Sequence, residues 1–142
     1  MQKLVPYLTF NGDCRQALEF YETTIGGSIK LIQTFGEAPT TSLPPEASHY
    51  VMHSVFEGEG IMLMASDAMP SQTVAPGSQI SLALQMDSVA EIDATFARLS
   101  EGGNVTVPLE NTFWNARFGM LDDRFGISWM LNCQLDEEKP AS

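Results

Sequence analysis

Two histidines, His49 and His53, lie four residues apart in the chain. On a helix, that His-x-x-x-His spacing would place both rings on one face, as a metal site requires. Here Tyr50, Met52 and Phe56 alternate with Val51 and Val55, so the segment reads as a strand over His49–Glu57. Four residues along a strand separate two rings by about 13 Å, too far for one ion. A lone strand histidine is either a hydrogen-bonded part of the sheet or a ligand contact or general base, a role imidazole suits near neutral pH. Glu110, beside Asn111 at a strand end, is a second candidate base or a solvated loop carboxylate. Asp67 ends another strand and reads as a cap of the turn before Ala68-Met69-Pro70, or as a ligand contact. Arg117, between Trp114 and Phe118, suits a bidentate grip on an anionic group or a pairing with a nearby acid. Trp114, Trp129, Phe113, Phe118 and Phe125 form an aromatic cluster whose burial would serve core or dimer contacts. Cys14 and Cys133 sit among apolar residues with no neighbouring base, which describes buried thiols and not a nucleophile or a disulfide scaffold. Met62, Met64 and Met130, among eight methionines, suit an adaptable apolar lining.

The scaffold that must position these groups is small. The chain has 142 residues, enough for one domain or two small halves sharing a core. Lys plus Arg is 7 and Asp plus Glu is 18, so the formal charge is 7 − 18 = −11. Such an excess of acid argues against nucleic acid, whose phosphates need a cationic patch, and against an anionic membrane surface. With 44% hydrophobic and 18% charged residues the composition is that of a folded chain, and the longest apolar runs, such as Ile61–Ala65, are too short to span a bilayer. Met1–Pro6 has no apolar signal-like region, so a cytoplasmic location is expected. A small-molecule or protein partner is what this composition leaves.

Two segments carry helix signals. Asp13 with Gln16 reads as a capping box, followed by Cys14, Ala17, Leu18, Tyr21 and Ile25 at helical spacing and a stop at Gly26-Gly27. Ser88 with Glu91 opens a second helix with Val89, Ile92, Phe96 and Leu99 on its apolar stripe, ended by Gly102-Gly103. Strands are predicted at Lys3–Phe10, Ser28–Phe35, His49–Glu57, Ile61–Ser66, Gln79–Met86, Val105–Leu109, Trp114–Leu121 and Ile127–Cys133. The order is β-α-β-β-β twice. An offset of 76 residues lays Phe20 on Phe96, Gly26-Gly27 on Gly102-Gly103, and Ile29 and Leu31 on Val105 and Val107. The fold expected is α+β, one domain of two tandem βαβββ modules: module one about 3–66, linker 67–78, module two about 79–133, tail 134–142. The repeat breaks at Gly36–Ser48, an extra Pro- and Thr-rich loop that contains Glu37. Each helix covers one face of its sheet, and the other face is left to curl into a strand-lined cleft.

This plan resembles the vicinal oxygen chelate superfamily of glyoxalases, bleomycin- and fosfomycin-resistance proteins and extradiol dioxygenases, and more closely its PhnB-like branch. The resemblance rests on Pro6-Tyr7-Leu8-Thr9-Phe10 leading into Ala17-Leu18-Glu19-Phe20-Tyr21, and on Phe35-Gly36-Glu37 and Ser66-Asp67-Ala68-Met69-Pro70. It continues through Thr112-Phe113-Trp114, Arg117-Phe118-Gly119 and Asp123-Arg124-Phe125-Gly126-Ile127-Ser128-Trp129-Met130. It implies a small organic ligand, a homodimer, and in the superfamily's enzymes one divalent ion held by His, Gln or Glu on the first and last strands of the modules. Those positions fall here at Pro6 or Tyr7, along Ile61–Met64, along Gln79–Met86 and at Met130, and none is a usual ligand. The expectation is therefore no metal and no other cofactor. His53 matches a strand histidine of PhnB-like relatives. The site residues expected are His53 and Glu110 as catalytic candidates, with Tyr7, Thr9, Met62, Met64, Asp67, Trp114, Arg117 and Met130 around the ligand. A metal-dependent enzyme of glyoxalase or dioxygenase type, using His53 and Glu110, is the alternative, and an interaction module without a pocket is a third. Some members of the branch carry a ubiquinone methyltransferase label. This chain has no glycine-rich strand-to-helix turn for a nucleotide-like methyl donor, so that activity is not expected.

Overall fold

Leu8 and Phe10 are buried while Tyr7 and Thr9 are exposed, and this two-residue period defines the first strand, β1 (Tyr7–Phe10). The computed structural model describes residues 3–37 and 45–135, and the chain divides into two compact units, Met1–Ala75 and Pro76–Ser142. In the first, β1 is followed by α1 (Cys14–Thr24), β2 (Ser28–Thr34), β3 (Val51–Gly58) and β4 (Ile61–Asp67). The sheet order is β1-β4-β3-β2, with β1 parallel to β4 and the other pairs antiparallel. Cys14, Ala17, Leu18 and Tyr21 form the buried stripe of α1, against a core that includes Leu8, Phe10, Phe56, Leu63 and Ala65.

The second unit repeats the plan with β5 (Leu82–Met86), α2 (Val89–Leu99), β6 (Asn104–Asn111), β7 (Ala116–Asp122) and β8 (Ser128–Gln134), in sheet order β5-β8-β7-β6. Ile92, Phe96 and Leu99 of α2 are buried, as are Leu121, Trp129, Leu131 and Cys133 of the sheet. A Cβ at Gly119 would stand 2.7 Å from the Phe96 ring, which is how closely α2 lies on β7. The fold is thus α+β, two tandem βαβββ modules, and the 76-residue offset is real in register: Tyr7 and Ala83 oppose Met64 and Met130, while Leu31 and Val107 oppose Val55 and Met120.

Several boundaries move. β1 starts at Tyr7, not Lys3, because Pro6 has no N–H to give, although its carbonyl still accepts from Met64 at 3.0 Å. β3 starts at Val51, leaving His49 outside the strand, and β4 runs one residue further, to Asp67. β7 starts at Ala116, so Phe113 and Trp114 occupy the β6–β7 turn, closed by Asn115 at φ 68°. Ser88 caps α2 as expected, accepting from Glu91 N at 3.1 Å, while the Glu91 carboxylate accepts from Asp87 N at 3.0 Å. Asp13 makes no such side-chain cap on α1. The middle of the extra loop and the residues after Leu135 lie outside the described residues.

Candidate functional site

Each sheet has one face turned to its helix and one turned away. In the first unit the far face carries two rows across the strands. Tyr7, Met64, Val55 and Leu31 form one through the pairs Tyr7↔Met64, Met64↔Val55 and Val55↔Leu31. One residue pair along each strand, Thr9 opposes Ser66 and His53 opposes Gln33, which gives a polar row beside the apolar one. Tyr7 links them: its hydroxyl lies 3.1 Å from His53 Nδ1, with the two rings stacked at 5.8 Å and 20°. Among the described residues Tyr7 is the one side-chain partner of the His53 ring, which it meets at Nδ1. With Nδ1 accepting from the Tyr7 hydroxyl, Nε2 carries the proton and donates; with Nδ1 donating, Nε2 accepts. Met62 completes the soft side of this face, its sulfur 3.9 Å from the Lys3 ammonium. Five of the expected site residues, Tyr7, Thr9, His53, Met62 and Met64, therefore share one face.

In the second unit the equivalent rows are Ala83–Met130–Met120–Val107 and Gln85–Asn132–Phe118–Glu110. Met130 lies on this face, and Glu110 stands exposed on the outermost strand, paired with Phe118. Trp114, 54% exposed in the turn, sets its ring edge-on to Phe118 at 6.3 Å and to Phe113 at 5.0 Å. Sequence reasoning passed over Gln85 and Asn132, whose amides are hydrogen-bonded at 3.0 Å. Only the parallel β5–β8 register, a long-range pairing, makes them neighbours.

Asp67 and Arg117 face the helices. Asp67 is 5% exposed, and its Oδ1 accepts from Gly12 N and Cys14 N while Oδ2 accepts from Val51 N, all at 2.9 Å. Its carboxylate thus caps α1 from a distant strand, in place of Asp13, and also pins the start of β3; it does not cap the turn after it. The fit is close: Gly12 has φ +105°, and a Cβ there would stand 2.8 Å from the Tyr50 hydroxyl. Arg117 shares the parity of Gly119 and Leu121, the α2 side, where its Nε donates to Asp93 at 2.7 Å and its Nη1 to Asn111 at 3.0 Å. Of the two sequence readings of Arg117, the geometry describes pairing with an acid. Burial, reinforced by Asp67, pushes the Cys14 thiol up to about 12, which makes it inert.

Two tandem βαβββ modules in this sheet order, with the matches that follow, make the chain a member of the vicinal oxygen chelate superfamily in its PhnB-like branch. The family model described as 3-demethylubiquinone-9 3-methyltransferase matches residues 2–132, and the chain belongs to that family. Protein YjdN of Escherichia coli (strain K12) is 33% identical over 91% of this chain and 93% of its own. Protein PA1353 from Pseudomonas aeruginosa superposes with a TM-score of 0.86 at 40% identity, over 96% of this chain and 100% of that one. The structure titled putative 3-demethylubiquinone-9 3-methyltransferase, PhnB protein, from Bacillus cereus has a TM-score of 0.76 at 27% identity, over 93% and 99% of the two chains.

Proposed function

We propose that this protein binds a small organic molecule on the far face of its first sheet, with the Tyr7–His53 pair as polar anchor and no divalent ion. The observation that carries this reading is the pair itself: a hydrogen-bonded phenol and imidazole on an accessible face, beside Met62, Met64 and Val55. A ligand lying across the strands meets thioethers and aliphatics in one row and Thr9, Ser66, His53 and Gln33 in the next. Soft, jointed methionines accommodate varied apolar shapes, while the His53 Nε2 fixes orientation by one directed hydrogen bond.

The donor set argues against the superfamily's usual ion. In one unit Tyr7 faces Met64, and in the other Ala83 faces Met130, so a phenol, two thioethers and a methyl lie on the strands where the resemblance implies nitrogen and carboxylate ligands. Among the described residues no group of three or more His, Cys, Asp or Glu side chains gathers, whereas a catalytic zinc-type centre takes about three protein ligands. Methyl transfer is not part of the proposal either. The β1–α1 turn is Asn11-Gly12-Asp13, and the Asp67 carboxylate takes the N–H groups of Gly12 and Cys14 that a bound cofactor would use. A homodimer belongs to the same proposal; Phe113 at 96% exposure and Trp114 in one turn offer apolar surface for it, and sedimentation tests it.

The test is a thermal-shift screen of small apolar compounds bearing one hydrogen-bonding group, repeated on His53→Ala. Compounds that stabilise the wild type should bind about tenfold more weakly to the variant, the loss of one hydrogen bond, while the unliganded melting temperature stays put. Equal affinity for both proteins would remove His53 from the site. A variant with lost stability and unchanged affinity would make its role structural.

A further inference from the structure

The second unit carries a recognition element that the first lacks. We propose that the Gln85–Asn132 amide pair is a subsite for an uncharged planar group bearing a cis-amide edge, such as a lactam, with Phe118 as its wall. The two residues are direct partners in the parallel β5–β8 register, on the face away from α2, and Asn132 Nδ2 donates to Gln85 Oε1 at 3.0 Å. This is the one hydrogen bond that either side chain makes among the described residues. Each amide spends one of its four hydrogen-bonding places on the other: Gln85 keeps its NH₂, and Asn132 keeps its carbonyl oxygen. The pair thus keeps a donor on Gln85 and an acceptor on Asn132. Turning both amides over reverses their order and keeps one of each, so the array is complementary to a lactam edge in either setting.

The neighbours narrow the class. Next in the row is Phe118, half-buried and held edge-on by Trp114, whose ring offers a flat group an aromatic contact. The adjacent row, Ala83, Met130 and Met120, is apolar. The titratable groups of this face are acids, Glu110 at the outer strand and Asp122 four residues along β7, the latter already accepting from Ser128 Oγ at 2.7 Å. A carboxylate ligand would set two acceptors against the Asn132 oxygen and add like charge. An ammonium would leave the Gln85 donor unanswered. A neutral cis-amide satisfies both, its carbonyl on Gln85 and its N–H on Asn132. In the first unit the corresponding pair is Thr9 opposite Ser66, two hydroxyls that rotate freely and enforce no such pattern. This subsite does not depend on the anchoring role of His53.

The probe is 2-pyridone, a planar aromatic cis-lactam, with N-methyl-2-pyridone as the control that keeps ring and carbonyl and loses the N–H. Titrated into ¹⁵N-labelled full-length protein, 2-pyridone should move the side-chain NH₂ signals of Gln85 and Asn132 along one saturable curve. The N-methyl analogue should bind about tenfold more weakly. Gln85→Glu and Asn132→Asp exchange a donor or an amide for a carboxylate at nearly constant volume, and each should abolish the saturable shift while the backbone spectrum stays folded. Equal binding of the two pyridones, shifts elsewhere on the protein, unchanged binding by the variants, or no saturable shift at all would each overturn the proposal and leave the amide pair a strut between β5 and β8. None of these outcomes bears on the His53 screen, so the two readings fail separately.

Discussion

Asp67 shows how far a single side chain can differ from its local sequence context. Read along the chain, it ends a strand before Ala68-Met69-Pro70 and belongs to that turn. Folded, it sits on three backbone N–H groups from Gly12, Cys14 and Val51, residues up to 55 positions away. Asp67→Ala should cost about 3 kcal/mol or more, because three buried donors lose a charged acceptor, and urea unfolding would read it as a lower midpoint. Cys14, beside this carboxylate, gives a pH prediction. Its thiol is raised from 9.0 to about 12 in the fold, so the unfolded chain releases that proton first as the pH climbs. The contribution is present in full below about pH 9 and is lost as the pH rises toward 12. Urea midpoints measured at pH 8 and pH 10.5 should fall less for Cys14→Ala than for wild type, and iodoacetamide should label native Cys14 slowly at pH 8. Alternation made His53 legible as a strand residue, and the resemblance to PhnB-like proteins singled it out. Its Tyr7 partner was not, since 46 residues separate the two and nothing local couples them.

Helices and strands announced themselves to very different degrees. Ser88 and Glu91 are three apart, so the cap they form is written in adjacent residues, and Ser88→Ala should cost about 1 kcal/mol, seen as a modest drop in melting temperature. The capping box expected at Asp13 does not form, and the Asp67 carboxylate, from a distant strand, accepts from Cys14 N at the start of α1. The α2–β7 contact was silent in the sequence: Gly119 is one glycine among eleven until Phe96 lies 2.7 Å from where its Cβ would be. Gly119→Ala should force α2 and the Leu109 backbone outward and destabilise by about 1–3 kcal/mol, measurable in urea and as altered chemical shifts around Phe96. Strand ends were the weakest reading. Lys3–Phe10 shortens to Tyr7–Phe10, and Trp114 leaves its strand for a turn, because where a ladder ends depends on a partner strand and not on the alternation of the strand itself.

For the protein as a whole, the sharpest expectation concerns metal. Protein purified without tag or chelator and then incubated with Zn²⁺, Mn²⁺, Ni²⁺ or Mg²⁺ should retain no stoichiometric ion after desalting, because Tyr7 with Met64 and Ala83 with Met130 are poor partners for such cations. About one tightly held ion per chain, lost in His53→Ala, would revive a metal-assisted reaction. Among the described residues no helix is long and apolar enough to cross a membrane. The net charge of −11 and its consequence for nucleic acid follow from composition. The repeat, the α+β order and both apolar helix stripes also came from the residues in order, because helix period, strand alternation and glycine stops are local properties that each segment carries with it. The arrangement of the candidate site was not local. Which faces the strands present, which residues pair across them, and that Asp67 and Arg117 turn to the helices while Gln85 meets Asn132 are set by register between segments far apart in the chain. Register is fixed by the joint burial of both partners in one core, a term that no single stretch of sequence contains.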